Sequence, residues 1–474
     1  MKRIVIIIWL LFGVHAGAIS QSLDEYLKVA SENNPELRAY FNEYLASLEK
    51  VPQVGALPDP ELTVGFFLRP MERFMGNQQA DIQLMQMFPW FGLLRTQKDE
   101  ASKMALAQYE VFKDARYRLF YQVKNVWYQL YRLEEEIRIT EESLAILKQY
   151  ERLALIRFQT SGTGSGSGTS GLQESSTMNT AASSSSASSM GGMSSGMSGS
   201  DSGKSNVKGS SSMGTSSSMS SNDSGMSDVL RVKIEIKELE SRLALLEDSR
   251  GPLRAEFNQL LNRKPDAEVS VVDSLSGPAL TLERQILLDS ITRNNPMLKM
   301  LDAEQDAYEV QKKMARLESR PMLGVGVNYM PFSPRTENGM SMGGDDMVMP
   351  MVRVSIPIYR KRYNALQKEA ELRQLAAQER RENTVNLLTT QWSSALRDLD
   401  DAYRRTKLYK EQTELASQAL NLLMTRYATD GRDFEDVLRV QQQLLDYKMK
   451  LITSIVDQHT SVALLESLAA TELN

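Results

Sequence analysis

Between Gly92 and Gly162 the chain has neither glycine nor proline, and the same holds from Ile358 to Asp430. Nothing else in the sequence restricts the fold so severely. Without the two residues that break helices, each stretch can run as one helix, and at ~1.5 Å per residue such a helix is roughly 100 Å long. A compact core does not bury a rod of that length, so it must lie along other rods. The apolar spacing agrees. Leu119, Val123, Val126, Leu130, Leu133, Ile137, Thr140, Leu144 and Leu147 alternate steps of four and three. Val229, Val232, Ile236, Leu239, Leu243 and Leu246 do the same, as do Val437, Val440, Leu444, Tyr447 and Leu451. These are coiled-coil seams, and they predict two long antiparallel helical hairpins.

There are two hairpins because the chain is duplicated. DVLRV occurs at Asp228–Val232 and again at Asp436–Val440, each time at the expected start of a return helix. NNPEL at Asn33–Leu37 returns as NNPML at Asn294–Leu298, and Pro60 finds its counterpart in Pro321 at the same offset. MFPWFG around Pro89 answers SIPIYRK around Pro357, and Arg157-Phe158 with Gly162 answers Arg426-Tyr427 with Gly431. Landmarks repeated in the same order mark a true internal repeat. The units are 19–265 and 284–474, joined by a linker at 266–283. Each opens with an ordinary helix, such as Ser22–Lys50. In the first unit strands follow at 60–69 and 80–88, then a hairpin at 93–160 and 228–250. In the second the strands are 321–330 and 347–357 and the hairpin 361–429 and 435–470. Leu62, Val64, Phe66 and Leu68 alternate with Thr63, Gly65 and Phe67, and Leu323, Val325, Val327 and Tyr329 with Gly324, Gly326 and Asn328. Such alternation builds a wall with one apolar and one polar face.

The N-terminus, MKRIVIIIWLLFGVHAGAIS, sets Lys2 and Arg3 before the apolar run Ile4–Val14 and small residues at Ala16, Gly17 and Ala18. That predicts a secretory signal over 1–18 and an exported mature chain. No later run reaches the ~20 apolar residues of a transmembrane helix. A formal charge of −5 without a basic stripe argues against nucleic acid as a partner. The chain has no cysteine, which removes disulfides, thiolate metal sites and a lipidated N-terminus. Four strands cannot close a membrane barrel, which needs about eight at least, whereas three chains supply about twelve. The expectation is a homotrimer that pools strands into one barrel and helices into one tube.

At this point the residues resemble a known family. NNPEL, LPDPEL, MFPWFG, VSIPIYRK, RYATDGRDFEDVL and FNQLLNRKPD, in this order and within this duplication, resemble the TolC family of outer-membrane efflux channels along nearly the whole mature chain. The resemblance implies an α+β membrane protein. It would be a trimeric twelve-stranded β-barrel in the outer membrane, four strands per protomer, continued by a long α-helical coiled-coil barrel through the periplasm. It also implies contact with outer-membrane lipid, docking to a periplasmic adaptor and an inner-membrane pump, no cofactor and no catalysis. The hairpin turns would form the periplasmic entrance, with Tyr427, Arg432 and Asp436 as candidates for holding it shut. Where the family pattern carries a second acidic residue, this chain has Arg439, and Arg231 beside Asp228 in the first unit. A ring of Asp436 carboxylates near a threefold axis would attract cations, and an Arg three residues on can pair with it and weaken that field. The plainer alternative is that Asp436 and Asp228 merely complement helix N-termini.

The two turns differ greatly. Residues 163–227 form an insert of Ser, Gly, Thr and Met, a composition too poor in apolar surface to fold. Within it GSDSGKS is one residue short of a phosphate-binding loop and follows no strand, so nucleotide binding is rejected. The insert carries Met190, Met193, Met197 and Met213 among its methionines, and the second strand pair adds Met340 and Met342 in GMSMGGDDMVMPM. Neither place has a core for methionine to fill, and thioether sulfur favours soft ions such as Cu(I) and, by the same softness, Ag(I). The alternative is a neutral spacer. The functional expectation is a passive efflux channel, with Cu(I)/Ag(I), a drug or a secreted protein as cargo. A periplasmic adaptor is the rival from another class, but it would need one hairpin and no duplicated strands. No H-E-x-x-H, nucleophile elbow or phosphate loop supports an enzyme.

Overall fold

The computed structural model describes residues 22–163, 222–271, 274–278, 284–337, 339–430 and 433–471. The expected signal at 1–18, nearly all of the insert with Met190, Met193, Met197 and Met213, and Arg432 lie outside the described residues. In chain order the elements are α1 (Leu23–Asn33), α2 (Pro35–Val54), β1 (Glu61–Arg73), β2 (Gly76–Phe88), α3 (Leu93–Thr163) and α4 (Asn222–Leu260). After them come α5 (Arg284–Asn294), α6 (Pro296–Glu318), β3 (Met322–Met330), β4 (Phe332–Ser333), β5 (Arg335–Glu337) and β6 (Met340–Met342). The chain closes with β7 (Met347–Ser355), α7 (Arg360–Asp430) and α8 (Phe434–Ala469).

α3 and α7 each run for 71 residues without a break. Every member of the first seam, from Leu119 to Leu147, is less than a tenth exposed. One apolar cluster joins all four long helices near the hairpin turns, through Tyr150, Val232, Leu420, Tyr427, Phe434 and Val437 among others. A second ties α1 to α3 and α4 through Tyr26, Trp127 and Phe257, and a third ties α5 and α6 to α7 and α8.

The expected helix Ser22–Lys50 is two helices. Asn34 breaks it: a residue before proline is driven out of the helical region, and Pro35 starts α2 at its first position. The Asn34 side chain accepts from the Leu37 amide at 3.0 Å and donates to the Leu260 carbonyl at 2.9 Å. In the second unit Asn295 accepts from Met297 at 3.0 Å and donates to the Leu468 carbonyl at 3.0 Å. NNP is therefore a joint that pins each short helix pair to the end of its return helix. α4 starts six positions earlier than Asp228 and ends well beyond 250, with Pro252 inside it. Phe257 and Leu261, fully buried against α1, hold those last turns beyond the expected end at 250, despite the helix-breaking pair Gly251-Pro252.

The long strands pair antiparallel in the order β1-β2-β3-β7, with β4 on β2 and a separate β5-β6 ladder. β1 and β2 extend to Arg73 and Gly76, further than their sequence pattern suggested, and β5 and β6 had no sequence signal. The register sorts the side chains cleanly. One face carries Leu62, Val64 and Phe66, then Leu84 and Phe88, then Leu323, Val325 and Val327, then Val348, Val352 and Val354, all of them exposed. The other carries Thr63, Gln83, Asn328 and Ser355 with glycines and methionines. The Arg353 Nη1 of β7 lies 3.8 Å from the Glu61 Oε2 of β1. Those strands stand at opposite edges, so the polar face is concave. Asp81 Oδ1 and Asn328 Oδ1 on that face are buried without a hydrogen-bond partner.

Candidate functional site

The ends of α3 and α7 and the starts of α4 and α8 converge at the hairpin turns. Tyr427, 4 % exposed, stacks on Phe434 with ring centres 4.6 Å apart. The Arg157 guanidinium lies 4.9 Å from the centre of the same ring and donates to the Ala428 carbonyl at 3.1 Å. Arg157 and Arg426 hold the same place in the two repeats, but Arg426 turns to Asp433, 3.1 Å away. Asp433 adopts the left-handed backbone conformation, φ 66°, at the start of α8, a conformation that aspartate tolerates better than most residues.

The repeated pentapeptides are handled unequally. Asp436 pairs with Arg439 at 2.5 Å along α8. Arg231 instead reaches across to Glu435, joining the first hairpin to the second. Gln442 donates to Glu235 beside it. Arg231, Glu435, Asp436, Arg439 and Gln442 line one cleft between α4 and α8. Asp436 sits in the first turn of α8, where a carboxylate suits the helix N-terminus. Asp228 does not share that setting, because α4 begins at Asn222.

The electrostatics follow from these contacts. Arg231 donates to Glu435 and holds its carboxyl below the usual value. Burial raises Asp228; Arg231 opposes that rise and Glu435 adds to it. Burial raises the Tyr427 phenol, the charge of Asp228 reinforces the rise, and Arg157 opposes it.

Of the sequence candidates, Tyr427, Asp228, Arg231, Asp436 and Arg439 thus gather at the turns. Met340 and Met342 lie at the other end of the long helices, both exposed on the β5-β6 ladder. Arg157, Glu435 and Phe434 were not singled out. Glu435 had no signal within one repeat, since its importance comes from an arginine of the other. Arg157 had one, its alignment with Arg426. No cluster of three or more His, Cys, Asp or Glu suited to a metal occurs among the described residues, nor any helix apolar enough to cross a membrane.

Residues 287–471 match the family described as outer membrane efflux protein. No curated protein matches the chain. Among solved structures, VceC from Vibrio cholerae is 13 % identical with a TM-score of 0.66, the alignment covering 95 % of this chain and 97 % of that one. CusC is 14 % identical with a TM-score of 0.67, covering 95 % and 92 %. The open-state MtrE outer membrane channel of Neisseria gonorrhoeae is 14 % identical with a TM-score of 0.62, covering 95 % and 89 %. At such identities these likenesses speak for the fold.

Proposed function

Residues 287–471 match the outer membrane efflux protein family, and from that premise we propose that the whole chain is a channel of the TolC type. It is an outer-membrane channel for efflux: it conducts and does not react. The finer account starts from the sheet. An apolar convex face with open edges at β1 and β7 is unstable in water, and a barrel in lipid resolves both problems. Three chains close about twelve strands around the concave faces, with the long helices continuing the bore into the periplasm. An adaptor and an inner-membrane pump meet the hairpin turns and supply the energy.

Tyr427, Asp436, Asp228 and Arg231 form the closure at those turns, Arg439 moderates its charge, and Arg432 is assigned to it from the sequence resemblance alone. Arg231–Glu435 ties the hairpins together, and Asp436–Arg439 tempers the carboxylate field at the entrance. The cargo is a soft monovalent metal, Cu(I) or Ag(I), gathered by thioethers of the insert at Met190, Met193, Met197 and Met213 and by Met340 and Met342. The exposed convex face carries the channel reading; the methionine content supports the cargo.

The test compares copper and silver tolerance of cells carrying the intact chain with cells carrying a chain that lacks residues 163–227, beside a drug panel. Loss of metal tolerance alone is expected. Equal tolerance of metals in both strains makes the insert a spacer, and equal drug sensitivity in both shows that the insert plays no part in drug export.

A further inference from the structure

Across β2, β3 and β7 the methionines are segregated, although Met71 of β1, opposite Gln78, is not part of the pattern. In the β2-β3-β7 register, Met85, Met87, Met330, Met347, Met349 and Met351 all fall on the concave face. Apolar positions on the convex face are filled instead by Leu, Val, Ile, Phe and Tyr. If methionine served here only as a hydrophobe, both faces should share it. Branched and aromatic side chains fill the apolar positions of the opposite face, so the confinement of methionine to this one points to its sulfur.

The geometry brings these sulfurs together over two glycines. Gly324 lies between Met87 on β2 and Arg353 on β7, and Gly326 between Met85 and Met351. A Cβ on Gly324 would stand 2.5 Å from the Met87 Sδ and 3.3 Å from the Met85 Sδ. Both sulfurs therefore converge on one point above the bare backbone. A Cβ on Gly326 would lie 3.0 Å from the Met85 Sδ, so any side chain there would fill the same groove. Met351 faces that groove from the far strand, two strand spacings from Met85 and within reach of a flexible thioether. Met85 itself is only 3 % exposed. Arg353 of β7, beside Gly324, has its guanidinium 3.8 Å from the Glu61 carboxylate, which offsets its charge.

We propose that Met85 and Met87, converging over Gly324 and Gly326, form with Met351 of the adjoining strand a thioether site for Cu(I) or Ag(I) on the wall of the bore. This rests on the channel reading and deepens its cargo assignment. Two or three thioethers suit a soft monovalent ion and offer little to Na⁺, Mg²⁺ or Zn²⁺. Thioethers do not titrate, so binding releases no proton and is independent of pH, unlike binding to cysteine or histidine. Neutral ligands also hold the ion loosely enough to let it leave, as a conduction site requires.

The test is silver(I) nitrate titrated into the purified full-length protein in chloride-free buffer at pH 5.5 and 7.5, with bound silver counted per protomer. The insert is present in every sample, so its own methionines cancel. The triple variant Met85→Leu, Met87→Leu, Met351→Leu keeps side-chain volume and should bind about one silver ion fewer per protomer, by the same margin at both pH values. Gly324→Ala keeps every methionine but drives the Met87 sulfur from the groove; it should also lose that ion, and it decides the matter should the triple variant not assemble. Undiminished silver binding in assembled variants overturns the site, as does a deficit that appears at one pH only. Conductance in planar bilayers is read on the same samples. A protein that forms no pores sinks the channel reading whatever silver does, whereas normal pores with unchanged silver binding sink the site alone.

Discussion

Arg231 and Arg439 hold the same place in DVLRV yet answer different carboxylates, one across the hairpins and one along its own helix. The difference predicts different phenotypes. Arg231→Ala should raise resting conductance in planar bilayers by freeing the two hairpins from each other, whereas Arg439→Ala should leave resting conductance close to the parent and strengthen cation preference. Equal effects of both would remove the cross-hairpin pair from the closure. The pH dependence has a definite sign. Arg231 lowers the carboxyl of Glu435, so the pairing is intact above the ordinary glutamate value of 4.5 and is lost as pH falls through the lower, paired value. Conductance should therefore stay flat from pH 7 to pH 5 and rise only in stronger acid, and Glu435→Gln should abolish that acid step. At this scale the sequence was readable for residues whose partners are near in the chain, such as Asp436 with Arg439. It was silent on Glu435, whose partner lies in the other repeat, because pairing across repeats leaves no local spacing to detect.

Among the elements, the seams of the long helices were the most legible feature, because a heptad states both the helix and the side on which it packs. Helix ends were less so. Gly251-Pro252 carries a clear stop signal, but burial of Phe257 and Leu261 outweighs it, and a local rule does not register that tertiary contact. NNP was visible as a repeated spelling without its purpose, since the carbonyls of Leu260 and Leu468 that it grips are remote in sequence. The sheet was legible as alternation, but which face curves inward needed the Glu61–Arg353 pairing. That assignment predicts an asymmetry between adjacent positions on β7. Val352→Arg, on the convex face, should destabilise the folded barrel by about 2–4 kcal/mol if it sits near the membrane midplane. Met351→Arg, its neighbour on the concave face, should fold well and alter conductance instead. Chemical unfolding in lipid vesicles distinguishes the two, and equal losses would mean that the faces are reversed.

For the whole molecule, the prediction concerns closure. β1 and β7 are the free edges of the sheet and stand three strand spacings apart in one chain, ~14 Å. Because the chain has no cysteine of its own, a Leu62→Cys, Val354→Cys protein gives a clean background. A short bis-maleimide should join these positions between chains and yield linked trimers on a denaturing gel. Products confined to single chains would argue against a pooled barrel.

The exposed convex face also sets the order of events in time. On the channel reading, a lone chain that shows Leu62, Phe66, Val325 and Val352 to water, with both sheet edges open, reaches its resting state only in a lipid bilayer. Folding, association and insertion are then steps of one reaction whose rate depends steeply on chain concentration, and a chain that meets no partners is diverted to aggregation or proteolysis. On that reading, supply of chain, rather than stability of a finished assembly, becomes the quantity that a cell must regulate.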